Sequence, residues 1–367
     1  MYRISRSLVL LLLALPAVSG ECISNLTVLS EVVFSSPVFD LVEYTLCPNT
    51  VYQVGDVVGG QCCRDGDSPL ILRSNTIIQC GEDGSRANNC TFLGGQSHVT
   101  MAFEIFEEVV TGTEVRGMTF GDASVANVLL LGPGNVSFVD CSFSTRNARV
   151  APVEVGWMPP DSLLRRRLRA VHDELDSARR NLQVNTEDLL TPLHATFERC
   201  IFEGNSKVEK TVTPRNAPLA IKGPLNHATV KDCIFRNNEF NVASSVRTLP
   251  IAHHRQCMHL TPCTQNSGSC IEVDAGSLTL EGTSFVNNTL KNFGIVDVVN
   301  NGTVVIGEGN TFDEATIANV QCEVAIRDDP TVAVAECLSF STTDASGVRL
   351  PALWTTLLVC STAFFFG

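Results

Sequence analysis

The chain has 367 residues, and its 39 acidic side chains outnumber 26 basic ones to give a net charge of −13. That balance argues against nucleic acid or anionic lipid as a partner and suits solubility and cation binding. Fifteen cysteines and an uncharged apolar segment near each end set the chain apart from an ordinary cytosolic enzyme.

At the start, Arg3 and Arg6 precede an apolar run from Leu8 to Leu15, and the small residues Ala17, Ser19 and Gly20 follow. This order predicts a signal peptide over 1–20, cut before Glu21. Losing Arg3 and Arg6 with it takes the net charge from −13 to −15. Residues 21–63 are expected to cover the first repeat, because open strand edges need a cap. Cys22, Cys47, Cys62, Cys63 and Cys80 are the candidate staples there, with their pairing open. Cys62 and Cys63 are expected to bond to different partners, since a ring between neighbours is strained.

A repeat runs through 64–322. Val136-Ser-Phe-Val-Asp-Cys-Ser-Phe143, Ala195-Thr-Phe-Glu-Arg-Cys-Ile-Phe202 and Ala228-Thr-Val-Lys-Asp-Cys-Ile-Phe235 share one pattern. Leu278 to Phe285 repeats it with Thr283 in place of Cys, and weaker copies end at Phe92, Phe120 and Phe312. Alternating apolar residues make a short strand, a polar corner follows, and Cys and Phe share one side of the next strand. Asn205, Asn238 and Asn288 each fall three residues after their Phe. Intervals of 28, 23 and 27 between successive Phe fit one coil of a solenoid, whereas 59, 33 and 50 require insertions or a missed coil. Stacked coils would share a continuous core, with Phe on Phe roughly 4.8 Å apart and Asn side chains in ladders at the corners. Cys141, Cys200 and Cys233 are expected to form a buried column, mostly of free thiols, because buried free Cys behaves as a small hydrophobe.

Two stretches interrupt the pattern. In 152–194, Leu164, Leu168, Val171, Leu175, Ala178 and Leu182 make a helical stripe near heptad spacing, read as a helix lying on the sheets or one docking a partner. Arg165-Arg-Arg-Leu-Arg169 reads as a solvated basic face or a processing site. In 247–270, His253, His254, Cys257, His259, Cys263 and Cys270 lack a standard zinc spacing, so a loop stapled by two of the three cysteines is favoured. Cys90, Cys322 and Cys337 complete the disulfide candidates, and residues 323–350 are read as a linker. The apolar tail 351–367, with small and polar residues before it, predicts a glycosyl-phosphatidylinositol signal, with a short membrane anchor or a final strand as alternatives. With Cys360 in that tail, fourteen cysteines remain, an even number that suits oxidised pairs. Sequons at Asn25, Asn89, Asn135, Asn287 and Asn301 point to N-glycosylation.

On these repeats the chain resembles the pectin-lyase-like superfamily of right-handed parallel β-helices, over roughly Cys47 to Cys322. The segment Leu72 to Cys90 also resembles secreted β-helix proteins of diatoms. The resemblance implies an all-β solenoid and makes polysaccharide the expected ligand class. Relatives that cleave acidic polysaccharide carry Gly-His-Gly with Arg-Ile-Lys, or Arg-x-Pro-x-x-Arg beside a calcium-binding Asp cluster; those segments are absent here. Asp140, Glu198 and Asp232, near the corner in successive copies, are the candidates for paired-carboxylate catalysis or a shared calcium ion, against the plainer role of turn formers. Asp274 and Asp297 join no recognisable constellation, and His194 and His227 read as structural. The leading expectation is a non-catalytic extracellular or cell-surface glycoprotein that binds polysaccharide or a surface partner; a lyase, hydrolase or epimerase is the alternative.

Overall fold

In the computed structural model the described residues are 22–55, 68–102, 109–146, 151–156, 191–206, 217–239, 269–290, 292–317, 320–327, 334 and 336–339. Helix α1 (Leu26–Phe34) comes first; Asn25 caps it, its Oδ1 accepting from the Thr27 and Val28 amides at 2.9 and 3.2 Å. The strands then run β1 (Val42–Leu46), β2 (Val51–Val54), β3 (Leu70–Ile71), β4 (Thr76–Cys80), β5 (Cys90–Gly94), β6 (Ser97–Ala102), β7 (Val110–Arg116), β8 (Met118–Gly121) and β9 (Ala126–Leu131). Next come β10 (Gly134–Val139), β11 (Ser142–Ser144), β12 (Val153–Val155), β13 (Leu193–Glu198), β14 (Ile201–Glu203), β15 (Leu219–Lys222), β16 (Asn226–Lys231), β17 (Ile234–Arg236) and β18 (Ile271–Asp274). The last are β19 (Ser277–Glu281), β20 (Ser284–Val286), β21 (Asn292–Val299), β22 (Thr303–Ile306), β23 (Thr311–Phe312), the short helix α2 (Glu314–Ile317), β24 (Val320–Ile326) and β25 (Glu336–Leu338).

These strands form three sheets, ordered β1-β4-β7-β10-β13-β16-β19-β22, β2-β5-β8-β11-β14-β17-β20-β23 and β3-β6-β9-β12-β15-β18-β21-β24-β25. Each strand up to β24 pairs in parallel with the strand three places along the chain, so the backbone visits the sheets in rotation, an arrangement compatible with a β-helix. Strand β25 breaks the rule by pairing antiparallel with β24.

Alternation of apolar and polar residues turns one side of each strand inward. In β10 the side chains of Val136 and Phe138 are buried, and Asn135 points out. In the second sheet, Tyr52, Phe92, Phe120, Phe143, Phe202, Phe235, Phe285 and Phe312 occupy one register position, and all but Phe312 are fully buried. Successive ring centroids from Tyr52 to Phe285 lie 5.0, 5.7, 5.5, 5.0, 4.4 and 5.1 Å apart. Phe138 and Phe197, on the first sheet, stack at 5.4 Å and meet this column edge-on. Burying each ring contributes roughly 1.5–3 kcal/mol, and each aromatic pair about 0.5–1.5 kcal/mol more. Phe143 pairs directly with Phe202, and Phe235 with Phe285, so the long intervals are insertions and no coil is missing between them.

Asparagine closes the corner after the second sheet. Asn205 Nδ2 donates to Asn238 Oδ1 at 3.0 Å, and Asn238 Nδ2 to Asn288 Oδ1 at 2.9 Å. Asn205, Asn238 and Asn288 Nδ2 also donate to the carbonyls of Phe143, Phe202 and Phe235, which ties the ladder to the aromatic column. Thr145 and Thr316 end the ladder through bonds to Asn205 and Asn288. At the corner before the second sheet, Cys141, Cys200 and Cys233 are buried free thiols, as the repeat predicts. Burial pushes the Cys200 and Cys233 thiols well above their usual range, so they are inert as nucleophiles.

Three disulfides are present: Cys22–Cys47, Cys80–Cys90 and Cys322–Cys337. They are consistent with an extracellular protein. Cys270, a candidate staple, is instead a buried free thiol in the core, because its backbone joins the third sheet and turns the sulfur inward. The sheets begin at Val42, inside the expected cap, and β24 and β25 occupy part of the expected linker. Cys62, Cys63, Cys257, Cys263, the helical stripe, the 165–169 basic run, the signal segment and the apolar tail lie outside the described residues. Among the described residues no helix is long and apolar enough to cross a membrane.

Candidate functional site

The corner acids are taken up in turns and ion pairs. Asp140, Arg199 and Asp232 follow β10, β13 and β16, each with positive φ, at 54°, 53° and 51°. Short polar residues and glycine tolerate this left-handed turn, and Gly117 and Gly282 take it in neighbouring copies. Arg199 therefore stands between the two aspartates. Glu198 lies one position earlier, in register with Val139 and Lys231, and pairs with Arg199. Asp140 accepts from the Arg86 amide at 2.8 Å and pairs with the Arg86 guanidinium at 3.3 Å. Asp232 lies over Gly282, where an added Cβ would meet its Oδ1 at 2.2 Å. These carboxylates shape and brace turns, the plainer of the roles that the repeat offers them. Among the described residues no three His, Cys, Asp or Glu side chains gather in a metal-holding group.

The outer face of the first sheet carries a more coherent pattern. Asn135, His194, His227, Ser277 and Thr303 stand in register on β10, β13, β16, β19 and β22. Two residues further along each strand run Ser137, Thr196, Thr229 and Thr279. Strand spacing sets these hydroxyls about 4.8 Å apart. His194 and His227 stack with centroids 4.7 Å apart and planes 15° apart, and His227 Nδ1 hydrogen-bonds Ser277 Oγ. Burial, followed by the charge of His194, pushes the His227 pKa down, which keeps that imidazole neutral at neutral pH. Asn135 and His194 are exposed, and His227, Thr196, Thr229 and Thr279 are half-buried. Glu198, Lys231 and Glu281 border the rows.

Such a strip offers hydroxyl donors and acceptors at regular intervals beside a stacked pair of aromatic rings. Read from sequence, His194 and His227 are structural; the structure puts both on the outer face. The signal that could have found them is the repeated triplet His194-Ala195-Thr196 and His227-Ala228-Thr229, whose His and Thr share the outer face while Ala turns inward.

A second polar group sits on the third sheet. Asp297 pairs in bidentate fashion with Arg327, Nε to Oδ1 at 2.9 Å, and both side chains are almost fully buried. Lys222 pairs with Glu154, and Asn300 Nδ2 donates to Asp274 at 2.6 Å. These bonds are satisfied within the chain and brace the sheet.

All five sequon asparagines, Asn25, Asn89, Asn135, Asn287 and Asn301, are exposed, in contrast to the buried ladder asparagines. Comparison with family models, with curated proteins and with solved structures finds no match. The architecture thus defines the class by itself: an all-β, disulfide-bonded protein of parallel strands in stacked sheets.

Proposed function

We propose that the chain is a right-handed parallel β-helix, an exported glycoprotein held at or beyond the cell surface, and that it binds an extended polysaccharide without cleaving it. The strip of Ser137, Thr196, Thr229 and Thr279 beside the His194–His227 stack carries this reading. A polysaccharide presents hydroxyls and apolar ring faces in a long repeat, and a long sheet face with hydroxyl rows and a stacked aromatic pair matches both. Asp140 and Glu198 are engaged by Arg86 and Arg199, which supports binding over hydrolysis, because glycoside cleavage needs two carboxylates free to act across one bond.

The test is binding of the glycosylated ectodomain to neutral and uronic-acid polysaccharides, measured by calorimetry alongside an assay for new reducing ends. Thr229→Glu and His227→Ala are expected to weaken binding at least tenfold with an unchanged melting temperature. Undiminished binding in both variants, or cleavage products that vanish in Asp140→Asn, would overturn the proposal.

A further inference from the structure

Asn135 has an unusual position among the sequons: it stands inside the strip, two residues before Ser137 on the same face of β10. Its neighbours on the two sides differ. Towards β7 the pairing slips: Gly134 faces Val110 and Val136 faces Thr113, so the Thr111–Gly112 bulge lies opposite Asn135. Gly112, with φ of 65°, presents no side chain there. Towards β13 the in-register neighbour is His194, with His227 stacked behind it.

We infer that Asn135 carries an N-linked glycan whose first N-acetylglucosamine packs on the face of the His194 ring turned away from His227. The attachment is ordinary transfer from a lipid-diphosphate oligosaccharide: a bond forms between Asn135 Nδ2 and sugar C1, the C1–O bond to diphosphate breaks, and the amide loses a proton. The attached ring then has the Thr111–Gly112 bulge on one side and the His194 ring on the other. Sugar C–H groups and the acetamide methyl favour such a platform, and it leaves the sugar hydroxyls facing Thr196 and solvent. The inference rests on the sugar-accepting character proposed for this face, and makes the chain's own glycan its first occupant. An outside polysaccharide then meets Thr229, Thr279 and the Ser277 end of the strip, and competes with the glycan for the His194 ring.

The experiment uses the chain secreted from eukaryotic cells with high-mannose glycans. Glycopeptide mass spectrometry is expected to find Asn135 occupied. His194→Ala is expected to lower Tm by about 2 °C in the glycosylated protein. The same substitution shifts Tm far less in Asn135→Gln and in Ser137→Ala, which lack the glycan. Trimming to one N-acetylglucosamine with endoglycosidase preserves the effect. An unoccupied Asn135, or an equal His194→Ala shift with and without the glycan, would overturn the inference. The two readings separate cleanly: the coupling without polysaccharide binding leaves the glycan site standing and removes the ligand, and binding without the coupling does the reverse.

Discussion

The side-chain nitrogen of Asn238 donates to Asn288 Oδ1 at 2.9 Å across fifty residues of intervening chain. The same Asn238 accepts from Asn205 and donates to the Phe202 carbonyl, so one buried amide joins three layers. Polarity is tolerated at this depth because each donor and acceptor finds a partner.

Removing the centre of the ladder therefore orphans groups on both sides. Asn238→Ala leaves the Asn205 backbone amide without its side-chain acceptor and the Phe202 carbonyl without its side-chain donor. The expected loss is about 2–6 kcal/mol, at roughly 1–3 kcal/mol for each of the two unsatisfied buried groups. Asn237→Ala, one residue away on the exposed side, is expected to cost less than half as much in the same urea titration, although it loses the bond from Asn287.

The Asp297–Arg327 pair is buried on both sides, with side-chain exposures of 1% and 3%. Arg327→Met leaves a carboxylate in a poorly solvated site and is expected to cost about 3–5 kcal/mol. The double variant Asp297→Leu with Arg327→Met is expected to recover most of that loss in thermal unfolding, because no uncompensated charge remains.

Acid should weaken the protein through His98. Its ring is fully buried between Phe92 and Phe120, its Nε2 lies 2.8 Å from the Gly94 carbonyl, and burial pushes its pKa down to about 4. An unfolded histidine near 6.5 binds a proton first, so between these values the unfolded state holds more protons and stability falls as pH falls. The loss attributable to His98 at pH 4.5 is about 2–3 kcal/mol, since that pH lies two steps below the unfolded value and each step costs about 1.36 kcal/mol. Comparing stability at pH 7.5 and 4.5, His98→Leu should show a pH-induced loss smaller by that amount.

Asp232 is a turn residue on this account. Asp232→Gly is expected to change stability by less than about 1 kcal/mol, because glycine takes φ near 51° freely. Asp232→Val should cost about 1–2 kcal/mol or more, since a β-branched residue resists the left-handed region. Equal losses measured for the two would contradict the turn assignment.

The parts of this structure that repeat are legible in the sequence. Phe143, Phe202, Phe235 and Phe285 recur after a Cys or Thr and before an Asn, and the backbone places each in one register. The third sheet is hidden. Its strands, such as Ala126–Leu131 and Val153–Val155, are short apolar runs with no recurring marker residue. Asp297 and Arg327 are invisible as partners because thirty residues separate them and only sheet pairing brings them together. The corner acids mislead because Glu198 and Asp232 look equivalent by eye, whereas Arg199 holds the aspartate position. Cysteine counting suggests a staple at Cys270; core packing outweighs it.

Register across the inserted segments is the premise on which every surface row depends, and cysteine trapping reads it directly. Thr196→Cys with Thr229→Cys joins residues that face each other on adjacent strands, about 4.8 Å apart and within disulfide reach. Thr196→Cys with Thr279→Cys spans two strand spacings, about 9.6 Å, beyond reach. Under mild oxidation the first pair should cross-link with no loss of Tm and the second should stay reduced. Cross-linking of the second pair in preference to the first, or of neither, would contradict the stacked-strand account.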